Sequence, residues 1–127
     1  MLLSEYLHEI TKTVGELAKT GLILSSGITA DFRTIKIGLI KGVLSFSDDS
    51  KLFFKEYVDL RYKIAKETYS FHYQDRDGGL IFRYDNAAHK PSPGFTDHKH
   101  IGKQVVRSEI PNLREILEEI INDHLTV

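Results

Sequence analysis

Apolar residues recur at spacings of four and three along Leu3, Leu7, Ile10, Val14 and Leu17, which predicts one amphipathic helix stripe with Ser4 as an N-cap and Gly21 just past the end. Leu113, Ile116, Leu117, Ile120 and Ile121 repeat that period near the other end, entered through Pro111 and Asn112 with Glu115 as a capping-box partner. Between them the period falls to two. Leu22 to Ser26 is short and apolar, and Thr34 to Phe46 alternates but loses phase near Leu39-Ile40, as a bulge flanked by Gly38 and Gly42 would cause. Ser47 to Ser50 reads as a turn, and Lys51 to Val58 as the returning strand, with Leu52 and Phe54 competing against Phe53 and Tyr57 for the buried side. Asp59 to Lys66 fits either a strand or one helical turn, and we read it as a strand entering the next hairpin. The sum is an α+β fold over residues 1–127: an antiparallel β-meander of four to five strands with an N-terminal and a C-terminal amphipathic helix.

The sharpest pattern lies between Tyr69 and Asp85. Tyr69, Phe71 and Tyr73 alternate with Ser70, His72 and Gln74, while Phe82 and Tyr84 alternate with Arg83 and Asp85. A two-residue turn at Asp77-Gly78 would pair Arg76 with Gly79 and so set Phe71 opposite Tyr84, Tyr73 opposite Phe82, His72 opposite Arg83 and Ser70 opposite Asp85. One side of that hairpin is aromatic and the other is polar. A one-residue slip would mix the two sets, so the pattern itself selects the register. Ile81, opposite Gln74, is the member that does not fit.

Asn86 to Thr96 holds two of the three prolines and predicts a loop. Asp97-His98-Lys99-His100-Ile101 follows; if extended, it projects both imidazoles to one side and Lys99 to the other. Tyr69 to Gly102 thus contains four of the six histidines.

Composition narrows the chemistry. Apolar residues make up 41% and charged residues 28%, ordinary values for a globular domain, and no apolar run or N-terminal leader pattern points to a membrane or to secretion. The expected compartment is the cytoplasm. With no cysteine, disulfides, thiolate metal sites and a thiol nucleophile are excluded. The net charge of -1 hides an asymmetry: His72 to Arg107 carries six Lys or Arg against four Asp, whereas Ser108 to Val127 carries five acids against one Arg. The first segment suits phosphate.

Attack of an RNA 2′-hydroxyl on its neighbouring phosphate needs a base and an acid near neutral pH, with cations on the phosphate oxygens. His98 and His100 are the acid-base candidates with His72 as a third, Arg83, Lys99, Asn86 and Gln74 are substrate ligands, Asp85 orients an imidazole, and His89 is an additional candidate. No cofactor is required. A second reading makes His98 and His100 ligands of a divalent metal completed by Asp85 or His89, and a third makes the region a non-catalytic RNA- or protein-binding module. The N-terminal apolar stripe packs on the chain's own sheet or, in a homodimer, on a second copy.

Five segments stand out together: Lys55-Glu56-Tyr57-Val58-Asp59, Tyr69-Ser70-Phe71-His72-Tyr73-Gln74-Asp75, Leu80-Ile81-Phe82-Arg83-Tyr84-Asp85-Asn86-Ala87 with His89, His98-Lys99-His100, and Pro111-Asn112-Leu113. In this order and spacing they resemble the TumE-like family, toxin components of prokaryotic toxin-antitoxin pairs. The resemblance runs from about Gly42 onward; Tyr73 stands where the family often has Trp, and Thr20 to Lys41 offers little to match. It implies a small cytoplasmic toxin acting on RNA or translation and neutralised by a helix-turn-helix antitoxin. The catalytic roles above rest on chemistry alone.

Overall fold

The computed structural model describes residues 1–88 and 94–125. Helix α1 (Leu3–Ala18) leads into β1 (Ile23–Phe32), β2 (Ile37–Phe46), β3 (Lys51–Asp59), β4 (Ala65–Gln74), β5 (Leu80–Asp85), β6 (His98–Ile101) and β7 (Gln104–Arg107), and helix α2 (Leu113–Asp123) follows. The strands lie side by side in chain order in one sheet with every neighbouring pair antiparallel. This is the expected α+β meander with seven strands in place of four to five. The additions are the two short strands β6 and β7: β6 is the extended form of the His98 to Ile101 segment, and β7 is exposed at all four residues and so displays no buried alternation, while β1 runs on past Ser26 to Phe32 through mostly exposed residues.

Both helices cover one face of the sheet. Its core consists of alternate strand residues, Ile40, Leu44 and Phe46, then Leu52, Phe54 and Val58, then Tyr69, Phe71 and Tyr73, then Phe82, packed beneath Leu3, Ile10 and Val14 of α1 and Leu113, Ile116, Leu117 and Ile120 of α2. Burying each such side chain contributes about 1.5–3 kcal/mol, so any shift of register by one residue would cost many times the worth of a turn. The α1 stripe therefore packs on its own sheet. Tyr84 and Lys99 both bond Glu119, which seats α2 over β5 and β6.

Strand β2 has no bulge. Its inner face reads Gly38, Ile40, Gly42, Leu44, Phe46 without interruption. The apparent phase loss comes from glycines on the buried side: a Cβ at Gly42 would lie 2.2 Å from the Phe54 ring, and one at Gly38 would lie 2.5 Å from Leu3 Cδ2. Helix α1 begins two residues earlier than Ser4 would require; Leu2 is the N-cap, and its N–H donates to Glu5 Oε1 at 2.8 Å. Gly21 takes a left-handed φ of 82° beyond the helix end. In α2 the expected capping box is present, with Asn112 Oδ1 accepting from Glu115 N at 2.9 Å and Asn112 N donating to Glu115 Oε1 at 3.2 Å.

The β4–β5 hairpin has the expected pairs Ser70↔Asp85, Phe71↔Tyr84, His72↔Arg83 and Tyr73↔Phe82. Its turn is different. Gln74 pairs with Leu80, so Ile81 is the extra residue of a bulge, which explains its poor fit. Asp75 O accepts from Gly78 N and Asp75 N donates to Gly79 O, a three-residue loop in which only Gly78 has positive φ, at 86°. Asp75 Oδ1 also accepts from Asp77 N and Gly79 N, so this side chain stabilises the loop and removes the need for a strained Asp77.

Candidate functional site

The face away from the helices carries the polar chemistry, and strand register arranges it in rows. Pairing sets Thr29, Lys41, Lys55, Ser70, Asp85, His98 and Arg107 in one row from β1 to β7, and Gly27, Val43, Phe53, His72, Arg83, His100 and Val105 in the next. Residues two apart on a strand share a face, so Asp85 stands beside Arg83 and His98 beside His100. Segments distant in sequence thereby meet.

Asp85 is the hub. Its Oδ1 accepts from His98 Nε2 at 2.6 Å and from Ala87 N at 3.1 Å, its Oδ2 accepts from Arg83 Nε at 2.7 Å, and His100 Nε2 lies 3.6 Å from Oδ2. Burial pushes the Asp85 carboxyl up, but the Arg83 guanidinium, the Ala87 N–H and the His98 ring outweigh it and hold the group below the usual carboxylate range. His98 is wholly buried, and its Nδ1 donates to the Thr96 carbonyl at 2.7 Å. His98 thus positions Asp85 and has no surface for a substrate. The ring of His100, with one-fifth of its side chain exposed, packs edge-on against His98 at 4.8 Å.

Arg83 connects the hub to His72. Its Nη1 donates to His72 Nδ1 at 3.3 Å, which leaves the His72 proton on Nε2, where it donates to Gln74 Oε1 at 3.2 Å. His72, Arg83 and His100 therefore stand in one row on three adjacent strands, the guanidinium between two partly exposed imidazoles. His72 and Arg83 line a groove of about 710 Å³ over β1 to β5, together with Lys41, Lys55, Phe53 and Gln74 among others.

Two expected substrate ligands stand elsewhere. Lys99 is on the opposite face, as alternation requires, where it donates to Glu119 at 2.9 Å above the Tyr84 and Phe82 rings. Asn86 supports backbone: Oδ1 accepts from Tyr69 N at 3.2 Å and Nδ2 donates to the Glu67 carbonyl at 3.0 Å, replacing ladder bonds where β5 ends. His89 lies outside the described residues. Lys41, Lys55 and Phe53 were overlooked, although a hairpin centred on Asp48 already places Lys41 opposite Lys55.

For a metal, the donor set among the described residues is Asp85, His98 and His100, whose ligand atoms lie within 4.8 Å of one another. The Nδ1–H bond of His98 to a carbonyl is the support a ligating imidazole commonly has. The 2.6 Å separation of His98 Nε2 and Asp85 Oδ1 is nonetheless that of a shared proton, since a tetrahedral ion with ligands at about 2.0–2.1 Å holds them roughly 3.3 Å apart. Arg83 already supplies a cation to that carboxylate.

The family model described as Toxin TumE matches residues 13–126. The chain belongs to the TumE toxin family. Membership gives it the role of a toxin and implies an antitoxin partner, and the match includes the Thr20 to Lys41 segment in which the sequence offered little to compare. No match of comparable significance was found among curated proteins or solved structures. Among the described residues of this TumE-family chain, no helix is long and apolar enough to cross a membrane.

Proposed function

We propose that this TumE-family toxin is a metal-independent ribonuclease, restrained by a helix-turn-helix antitoxin, in which His72 and His100 exchange protons with RNA across Arg83. The observation that carries the reading is the row His72, Arg83, His100, tied to the Asp85–His98 pair and bordering a groove with two lysines. Successive strands lie about 4.8 Å apart, so the two imidazoles are separated by roughly 10 Å at the backbone, a span in which long side chains can flank one phosphate.

When a phosphate draws Arg83 away, His72 Nδ1 loses its donor and accepts the proton of the 2′-hydroxyl. The 2′-oxygen bonds to phosphorus, Arg83 neutralises the non-bridging oxygens, and His100, 3.6 Å from the Asp85 carboxylate, donates a proton to the departing 5′-oxygen. The products are a 2′,3′-cyclic phosphate and a 5′-hydroxyl. Each proton transfer is worth about 10²- to 10⁴-fold. His98 is a positioning residue here, because burial separates it from substrate while its proton holds Asp85 in place.

The test is cleavage of unstructured RNA by the purified chain with and without EDTA. Loss of product of about 10²-fold or more in His72→Ala and in His100→Ala, with cleavage unchanged by EDTA, is the expected result. Absence of product from the wild type would leave the binding-module reading. Abolition by EDTA would favour a metal at Asp85, His98 and His100, the alternative favoured by the Thr96 bond to His98 Nδ1.

A further inference from the structure

Lys41 on β2 and Lys55 on β3 are directly paired on the open face, and both are exposed. Like charges set opposite one another on adjacent strands destabilise a sheet. Among the described residues neither ammonium has an ion-pair or hydrogen-bond partner that would offset this. Beside them, in the neighbouring row, Phe53 leaves 38% of its surface in solvent at the groove floor and meets the His72 ring edge-on at 6.2 Å. Two unneutralised cations and an aromatic surface thus lie side by side, continuous through His72 with Arg83.

We propose that this groove binds a single-stranded RNA segment flanking the scissile phosphate, with backbone phosphates on Lys41 and Lys55 and an unstacked base on Phe53. The inference rests on the ribonuclease reading and adds the path of the substrate. Single-stranded nucleic acid is the ligand that presents repeated negative charge together with free base faces, and such sites pair basic grooves with stacking side chains. An acidic peptide would satisfy the lysines but has no need of Phe53 or of continuity with Arg83.

The experiment measures binding of a fluorescent 2′-O-methyl RNA oligonucleotide, which lacks the attacking hydroxyl, to the full chain over a range of salt concentrations. Lys41→Ala with Lys55→Ala should weaken binding and lower the salt slope by about 1.4, the value for two phosphates of a single strand. Phe53→Ala should weaken binding about fivefold or more. Thermal midpoints should not fall for the lysine variant, because it relieves a repulsion. The His100→Ala chain should bind like the wild type while cleaving less, which separates the path from the chemistry. Unchanged affinity and slope in the lysine variant would overturn the path even if RNA is cleaved. Loss of antitoxin binding with oligonucleotide binding intact would overturn it in favour of an acidic protein ligand. Oligonucleotide binding by the wild type without cleavage of ordinary RNA would remove the nuclease reading and leave the groove.

Discussion

Two carboxylates sit inside this sheet, one on each face, and they do different work. Glu56 on β3 and Asp85 on β5 are both almost inaccessible, and each lies against a cation. Glu56 is covered by the helices: it accepts from the Tyr6 hydroxyl of α1 in a short bond, and Lys66 of β4 lies 3.5 Å from its Oε2 while donating to the Pro111 carbonyl at 2.7 Å, just before α2. Those contacts join the sheet to both helices. The partners of Asp85 come from its own and the neighbouring strand and the loop beside them, and through Arg83 they reach the groove. Burial and pairing of a carboxylate therefore do not identify a site; the distinction lies in whether its network ends in the core or in groups that a substrate can touch.

The largest expected effect breaks the inner network. Glu56→Ala leaves Lys66, whose side chain is almost wholly buried, without its counter-charge and removes the acceptor of Tyr6. Taking one partner from such a pair costs about 3–5 kcal/mol. Urea unfolding should show that loss, while RNA cleavage per folded molecule stays near the wild-type value. A loss below about 1 kcal/mol would mean that the helices are held by apolar packing alone.

Asp85→Asn should reverse the proportions. Arg83 can turn to water, and an amide still offers His98 an acceptor, so the stability cost should be about 1–3 kcal/mol. Cleavage should fall about 10²-fold or more, because the charge that places Arg83 and faces His100 is gone. Equal losses of stability in the two variants, with cleavage retained in both, would erase the contrast between them.

The two networks were unequally legible before the structure. Asp85, Arg83 and His72 could be brought together because Tyr69, Phe71 and Tyr73 must be buried, and burying them fixes what stands on the other side. The separation of Lys99 from His98 and His100 followed from the same alternation. Glu56 was hidden by the opposite logic: a charged residue within Lys55-Glu56-Tyr57 reads as outward until Tyr6 and Lys66, far away in sequence, supply its partners. The glycines of β2 misled for a related reason, since an inner position without a side chain looks like a broken pattern when Phe54 or Leu3 fills its space. Strand β7 was invisible because exposed Gln104, Val105, Val106 and Arg107 are held by backbone pairing to β6.

The smallest effects separate the networks by pH. The Asp85 carboxyl lies below its ordinary value in the folded chain, so its contribution is complete above the unfolded value of about 3.9 and fades as pH falls through the folded value. The Tyr6 hydroxyl is raised, first by burial and then by the Glu56 charge, so its contribution is complete below the unfolded value of about 10 and fades as pH rises above it. Tyr69, raised by burial and by its bond to Asp97, adds in the same direction. Unfolding free energies should therefore decline below about pH 4 in a manner blunted by Asp85→Asn, and above about pH 10 in a manner blunted by Tyr6→Phe. Each substitution should leave the other limb as in the wild type. Crossed sensitivity, with Tyr6→Phe flattening the acid limb or Asp85→Asn the alkaline one, would show that the faces are coupled through the sheet, and the separation drawn between a structural carboxylate and a functional one would fail.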